Sequence, residues 1–300
     1  AFGPNLGAID YPKVSASWVV NEESWYPSFG ASELRLRGAL GTSGKQPGPF
    51  DALTILTTRS VSLPDGSSQV GFSPSSLGNS DLQPERGQEL ELGFDAKMLH
   101  DRVRLEFTSF NKKTKDALVL RPLPPSTGFA TGRWDNVGEV INKGVEVGLD
   151  ADLLQNSAVT WNARLTYSGV SSKLTKLDVP IAVGGRGLQE HRQGNEYGAY
   201  FMKPVSLDAS GNVVVAPDAV TVGHPPPDYE GSLSNTLTFL DNKLSFFTQL
   251  GYSGGNKMID YTEVYQCRTA FGTCPAKYER DAAGNQTPLA KLKSDPAANF

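Results

Sequence analysis

The feature that most constrains this chain is an alternation of apolar and polar residues with period two, sustained through paired runs. Leu90, Leu92, Phe94, Ala96 and Met98 fall on one side of an extended chain, and Glu89, Glu91, Gly93, Asp95 and Lys97 on the other. After a short break at Leu99–Asp101, Val103, Leu105 and Phe107 alternate with Arg102, Arg104, Glu106 and Thr108. Successive side chains of a strand point to opposite faces, whereas an amphipathic helix repeats every three to four residues. Two such runs across a tight break therefore predict a β-hairpin. The pattern recurs in Val145, Val147, Leu149, Ala151 and Leu153, which alternate with Gly144, Glu146, Gly148, Asp150 and Asp152. It resumes after a turn near Gln155–Ser157 from Val159 to Tyr167, with Arg164 on the polar side. A third hairpin spans Glu230–Leu240 and Lys243–Tyr252. An earlier pair uses Val14, Ala16, Trp18 and Val20, then Leu34, Leu36 and Leu40. That makes eight strands, each near the about 9–11 residues a tilted strand needs to cross a bilayer.

The connections alternate as well. Those after odd strands are short, and those after even strands run at about 42–87, 113–143, 172–229 and 254 onward. Soluble domains seldom carry structureless loops beyond about 12–15 residues, whereas outer-membrane barrels pair short turns on one side with long loops on the other. The chain's 31 Gly and 20 Pro suit such loops. A net charge of −4 gives no basic surplus for a phosphate backbone, so no nucleic-acid partner is expected. Three His and two Cys exclude a multi-Cys zinc module and a disulfide-dense scaffold.

The polar sides carry Arg35, Arg37, Glu89, Glu91, Asp95, Arg102, Arg104, Glu146, Asp150 and Arg164. They fit a wet lumen or the solvent side of a half-buried sheet. An interior of about eight strands is just filled by side chains, so this many long charged groups require a wider barrel of which the eight strands form part. The rival reading is a soluble all-β carbohydrate-binding or adhesin module, whose apolar sides a second sheet would cover.

Several blocks resemble the SusC/RagA-type TonB-dependent outer-membrane receptors. They are YPKVSASWVVNEESW at 11–25, ELRLRGALGTSGKQPG at 33–48, LGNSDLQPERGQELELGFDAKMLHDRVRLEFTSFNKKTKDAL at 77–118 and NVGEVINKGVEVGLD at 136–150, with GNEYGAYF at 194–201 and VGHPPPDYEGSLSNTLTF at 222–239 after them. Lys45 stands where that family usually has Asn. The resemblance implies an antiparallel transmembrane β-barrel of about 22 strands, of which residues 1–300 form a late portion with long extracellular loops. It implies a transporter rather than an enzyme, placed in the bacterial cell outer membrane among its lipids and importing a bulky glycan or peptide. It further implies energy from the TonB complex through a plug domain, a SusD-like surface lipoprotein over the loops, and closing strands after Phe300.

In an envelope compartment Cys267 and Cys274, with six residues between them, favour a local disulfide, free thiols being the alternative. No metal or cofactor site is expected. Gly44-Lys45 lacks the upstream Gly and the following Ser/Thr of a phosphate loop, and Gly184–Gly187 lacks dinucleotide spacing. His100, His191 and His224 read as solvent-exposed, and neither G-x-S-x-G nor H-E-x-x-H occurs. Trp18, Trp25, Tyr26 and Phe29 cluster at the first short turn as an interfacial girdle or a small cluster beneath a loop. Trp134, Tyr197, Tyr200 and Tyr261 are the loop aromatics read as ligand contacts.

Overall fold

The computed structural model describes residues 9–27, 31–129, 131–178, 180–183, 188–241, 243–268 and 274–294. Phe29 and Gly184–Gly187 lie outside them. In chain order the elements are β1 (Lys13–Val19), β2 (Ala31–Lys45), β3 (Ile55–Ser62), β4 (Ser68–Ser76), β5 (Glu85–Met98), β6 (Val103–Arg121), β7 (Arg133–Gln155) and β8 (Val159–Leu177). There follow β9 (Ile181–Val183), β10 (Gln189–His191), β11 (Ala199–Met202), β12 (Val205–Leu207), β13 (Val213–Val215), β14 (Val220–Gly223), β15 (Tyr229–Phe239), β16 (Leu244–Gly254), α1 (Tyr261–Arg268) and α2 (Pro288–Ser294).

Two compact units are present. The first holds Ala1–Ala182, His191–Tyr197 and Pro227–Gly255, and the second Val183–Glu190, Gly198–Pro226 and Asn256–Phe300. The first unit is built on an antiparallel sheet of eight strands in the order β1-β2-β5-β6-β7-β8-β15-β16. These are the eight runs of the alternation, each joined to its sequence neighbour. The sheet is not closed: β1 and β16 are its ends. In the second unit β11 pairs with β14, β12 pairs with β13, and a disulfide joins Cys267 to Cys274.

The register fixes the faces. Leu36, Phe94, Phe107 and Val147 lie in one cross-strand row, and Leu149 and Leu165 sit opposite each other in the next. Between the row of Leu92 and the short turns, that side of all eight strands carries no Asp, Glu, Lys or Arg. It is also bare, with Leu92 55%, Phe246 57% and Leu250 65% exposed. On β8 this side runs from Gly169, in the row of Leu92, to Val159, about 34 Å at about 3.4 Å per residue. Tilted by about 40°, that makes a band about 26 Å tall, matching the about 25 Å apolar belt of a membrane barrel.

Three strands outrun the alternation. β6, β7 and β8 have 19, 23 and 19 residues, so the predicted loop over 113–143 shrinks to 122–132. Register shifts at Lys115/Ala117 and Glu139/Val140, with Asp116 at φ 55°, scramble the phase there while the pairing continues. The other predicted loops also hold structure, since β3–β4 folds within the first, β9–β14 in the third, and α1 and α2 after β16. Beyond the belt the faces exchange character. Val140 and Leu174 lie on the charged side, and Leu174 joins Leu177 and Ile181 in a buried cluster flanked by Val119, Val137 and Val140.

The short turns are stitched together. Leu99, His100 and Asp101 all adopt left-handed backbone, at φ 55°, 58° and 65°, and Leu240 and Asp241 do so in the last hairpin. Arg102, expected on the wall, sits instead in its turn, where its guanidinium donates to the carbonyls of Asp152 and Leu153 at 2.7 and 2.9 Å. Val20, expected on the first strand, lies in a short 3-10 turn and is buried. At this turn the rings of Trp18 and Trp25 are 6.0 Å apart and those of Trp25 and Tyr26 6.3 Å. Both indoles are well exposed, so they form an open chain of rings rather than a cluster under a loop.

Candidate functional site

The charged side of the sheet is a field of cross-strand ion pairs. Arg37 reaches Asp95 at 2.8 Å and Arg35 reaches Glu33 at 3.1 Å. Lys97 also reaches Glu33, Arg104 reaches Asp150 at 2.9 Å, and Lys112 reaches Glu89 at 3.3 Å. Register explains three of these, because Lys97 sits opposite Glu33, Arg104 opposite Asp150, and Glu89 opposite Lys112, whereas Arg37 reaches Asp95 diagonally from opposite Gly93 and Arg35 reaches Glu33 along its own strand. All are partly exposed, so each contributes roughly 0–1 kcal/mol. Their effect is to cancel charge on a surface that cannot face lipid.

Among the charges of this face outside these ion pairs are Glu91, Glu106, Glu146, Arg164 and Glu230. Four of them, all but Glu91, line one cavity of about 800 Å³ together with Arg37 and Ser253. Arg37 is on β2 and Ser253 on β16, six strands away in the sheet. Neighbouring strands lie about 4.8 Å apart, so in a flat sheet these residues would be about 29 Å from each other. A shared cavity of this volume requires the sheet to curl around its charged side. The site is therefore a polar concavity backed by an apolar exterior. Among the described residues no cluster of three His, Cys, Asp or Glu is placed to hold a metal ion.

The loop aromatics separate. Trp134 is not in a loop but at the start of β7, its long-connection end, opposite Leu120, where its carbonyl accepts from the Asn79 amide at 3.0 Å. Tyr200 is buried in β11, and burial raises its phenol pKa above 10.0. Tyr261 is half-buried in α1. Tyr197 is 49% exposed, with its ring 4.0 Å from that of His191. His191, expected in solvent, is buried, and burial holds its pKa below 6.5. His100 is exposed and His224 half-buried, its Nδ1 2.8 Å from the Pro226 carbonyl. Gly44, in β2, leaves room for the Tyr11 ring that a Cβ would strike.

The sequence reading missed a polar clamp at the base of the long connections. The Asn136 amide donates to the Gln83 and Asp116 carbonyls at 2.7 and 2.8 Å, and the Gln83 N–H donates back to Asn136 Oδ1 at 2.7 Å. Beside it the buried Asp135 carboxylate pairs with Arg121 at 2.8 Å and Arg133 at 3.0 Å, and accepts from Asn79. Both halves of the clamp lie in blocks quoted above, 77–118 and 136–150, but only the register brings them together.

Known proteins agree with this architecture. The family described as TonB dependent receptor-like, beta-barrel matches residues 4–281. TonB-dependent receptor P39 of Formosa agariphila is 29% identical over all of this chain and 28% of its own length. TonB-dependent receptor P26 of the same organism is 27% identical over 86% of this chain and 29% of its own. TonB-dependent receptor SusC of Bacteroides thetaiotaomicron is 22% identical over 68% of this chain and 22% of its own. The fold superposes on a chain in the structure of the RagAB peptide transporter with a TM-score of 0.74, at 22% identity, covering 86% of this chain and 30% of that one. The chain thus spans less than a third of the length of these proteins. With the match running over nearly all of its residues, the chain belongs to the TonB-dependent receptor β-barrel family.

Proposed function

We propose that this chain is one section of the wall of an outer-membrane importer for bulky nutrients, glycans or peptides, with no catalysis of its own. The bare side of the sheet meets lipid, the charged side lines a water-filled lumen, and the long connections face outward to gather ligand with a surface lipoprotein. Arg37, Glu106, Glu146, Arg164 and Glu230 then line the path or meet a plug through which TonB acts. The reading that residues 1–300 are one portion of a larger barrel domain belongs to the same proposal. The match to a chain of the RagAB peptide transporter supports peptides as one such cargo.

One observation carries the reading: eight strands expose apolar side chains with no charge among them, while their opposite side is crowded with ions. A soluble sandwich would cover the apolar side with a second sheet, and Leu92 and Leu250 are instead more than half exposed. Leu149→Arg, in the middle rows of the belt, is expected to cost about 2–4 kcal/mol and to prevent insertion. Glu91→Arg, on the charged side and outside any ion pair, is expected to insert normally. Outer-membrane fractionation with heat-modifiable migration on gels reads both, and equal outcomes for the two variants would overturn the assignment.

A further inference from the structure

Just beyond the belt, on its long-connection side, the lipid-side face turns cationic. Lys143 lies opposite Asn111 in the row of Leu90, Lys113 and Lys173 flank Ile141 in the next row, and Arg86 sits directly opposite Lys115 in the row after that. Arg86, Lys115, Lys143 and Lys173 are exposed. Glu139 answers Lys113 at 2.8 Å, and Asp10 and Asp116 line the same groove as Arg86, Lys113 and Lys115. Like charges directly opposite each other destabilise a strand pair, and this row sets Arg86, Lys115 and Lys176 against the single carboxylate of Glu139, which already pairs with Lys113, leaving a cationic surplus that a further anion would answer. The groove measures about 530 Å³, and at its edge the Tyr11 hydroxyl is buried without a hydrogen-bond partner. At the short-turn end of the belt the same face carries no such row.

We infer that the outward face of β5–β8 just above the belt is a docking surface for the phosphorylated sugar headgroup of an outer-leaflet lipid. The inference rests on the membrane reading above. The long connections mark the outer side, so these cations stand at the depth of that leaflet's headgroups. Lys and Arg stems lie along the last apolar rows and lift their charges to the phosphates. A fork such as Arg86 engages a phosphate through two donors, while the lysines act as point charges. Tyr11 supplies a neutral donor at the groove's edge.

The test uses the full-length receptor carrying this segment, isolated from outer membranes, and the variant Arg86→Gln/Lys115→Gln/Lys143→Gln, which breaks no ion pair. Native mass spectrometry scores binding of lipid A bisphosphate and of the same lipid stripped of phosphate. The wild type should hold the bisphosphate at least about tenfold better than the variant, and both should hold the stripped lipid equally weakly. Equal retention of the bisphosphate by both proteins overturns the inference, as does equal retention of the two lipids by the wild type. Displacement of the lipid by an equal concentration of inorganic phosphate assigns the groove to a soluble anion and overturns it too. So does loss of a co-purifying acidic protein with lipid binding unchanged. A wild-type receptor absent from the membrane fraction sinks the membrane reading itself, whereas a membrane-inserted pair with unchanged lipid binding sinks only this inference.

Discussion

Trp161 and Asn235 show how single residues make the belt tolerable. Asn235 lies on the apolar side of β15, where a carboxamide is costly, and its Oδ1 accepts from the Trp161 indole at 3.2 Å. Each removes the other's unpaired polar group from a region without water. Trp161→Phe should therefore destabilise by about 1–3 kcal/mol, because the orphaned amide stays in hydrocarbon. Trp161→Phe combined with Asn235→Leu should recover much of that loss. Urea-gradient gels in detergent read both, and additive losses would disprove the pairing. His191 makes a pH-dependent case. Burial keeps its imidazole neutral in the fold, while the unfolded chain takes up a proton near pH 6.5. The fold binds fewer protons, so its stability contribution is complete above about pH 6.5 and lost as pH falls through the lower folded pKa. Amide exchange at residues 191–197, corrected for intrinsic rates, should speed up between about pH 7.5 and about pH 5. His191→Phe should flatten that response.

At the scale of elements, the long connections are held by backbone capture rather than by packing alone. Asn136 satisfies two carbonyls and one N–H of neighbouring segments at once. Asn136→Ala leaves those groups unpaired at about 1–3 kcal/mol each where they stay buried. Limited proteolysis of intact cells should then nick residues 77–85 faster, while heat-modifiable migration of the barrel stays unchanged. A loss of both would place Asn136 in the wall's stability rather than in the connections. Two small turns repeat one device. Asp208 accepts from the N–H groups of Ser210 and Asn212, and Asp281 from those of Ala283 and Asn285, each turn with a left-handed Gly before the Asn. Those N–H groups hold both carboxyls below 3.8. The D-A-x-G-N spelling of these turns was readable in the sequence at 208–212 and 281–285, whereas the Asn136 clamp joins positions 53 residues apart and was not.

The whole molecule is organised by one inversion. Within the belt the outside is apolar and the inside charged. Above it the outside is cationic, and the inside holds Leu174, Leu177 and Ile181. The inversion sets where lipid ends, and it places Leu149, three rows short of Lys143, well inside that boundary. It also accounts for the length of β7, whose 23 residues span about 76 Å at about 3.3 Å each and so run far beyond a bilayer.

Alternation along a strand is a local property, because successive side chains must point oppositely. The chain's spelling therefore determined by itself the eight wall strands, their order, their short turns and which side is greasy. Tertiary structure decided what depends on register and bulges between distant segments. It chose ion partners for Arg37 and Arg104, left Glu106 and Glu146 to line a cavity, drew Arg102 into a turn and buried His191 and Tyr200. It also carried β6, β7 and β8 past the point where the alternation loses phase. No single run of residues encodes those outcomes, because each depends on which strand lies alongside and how far it has slipped.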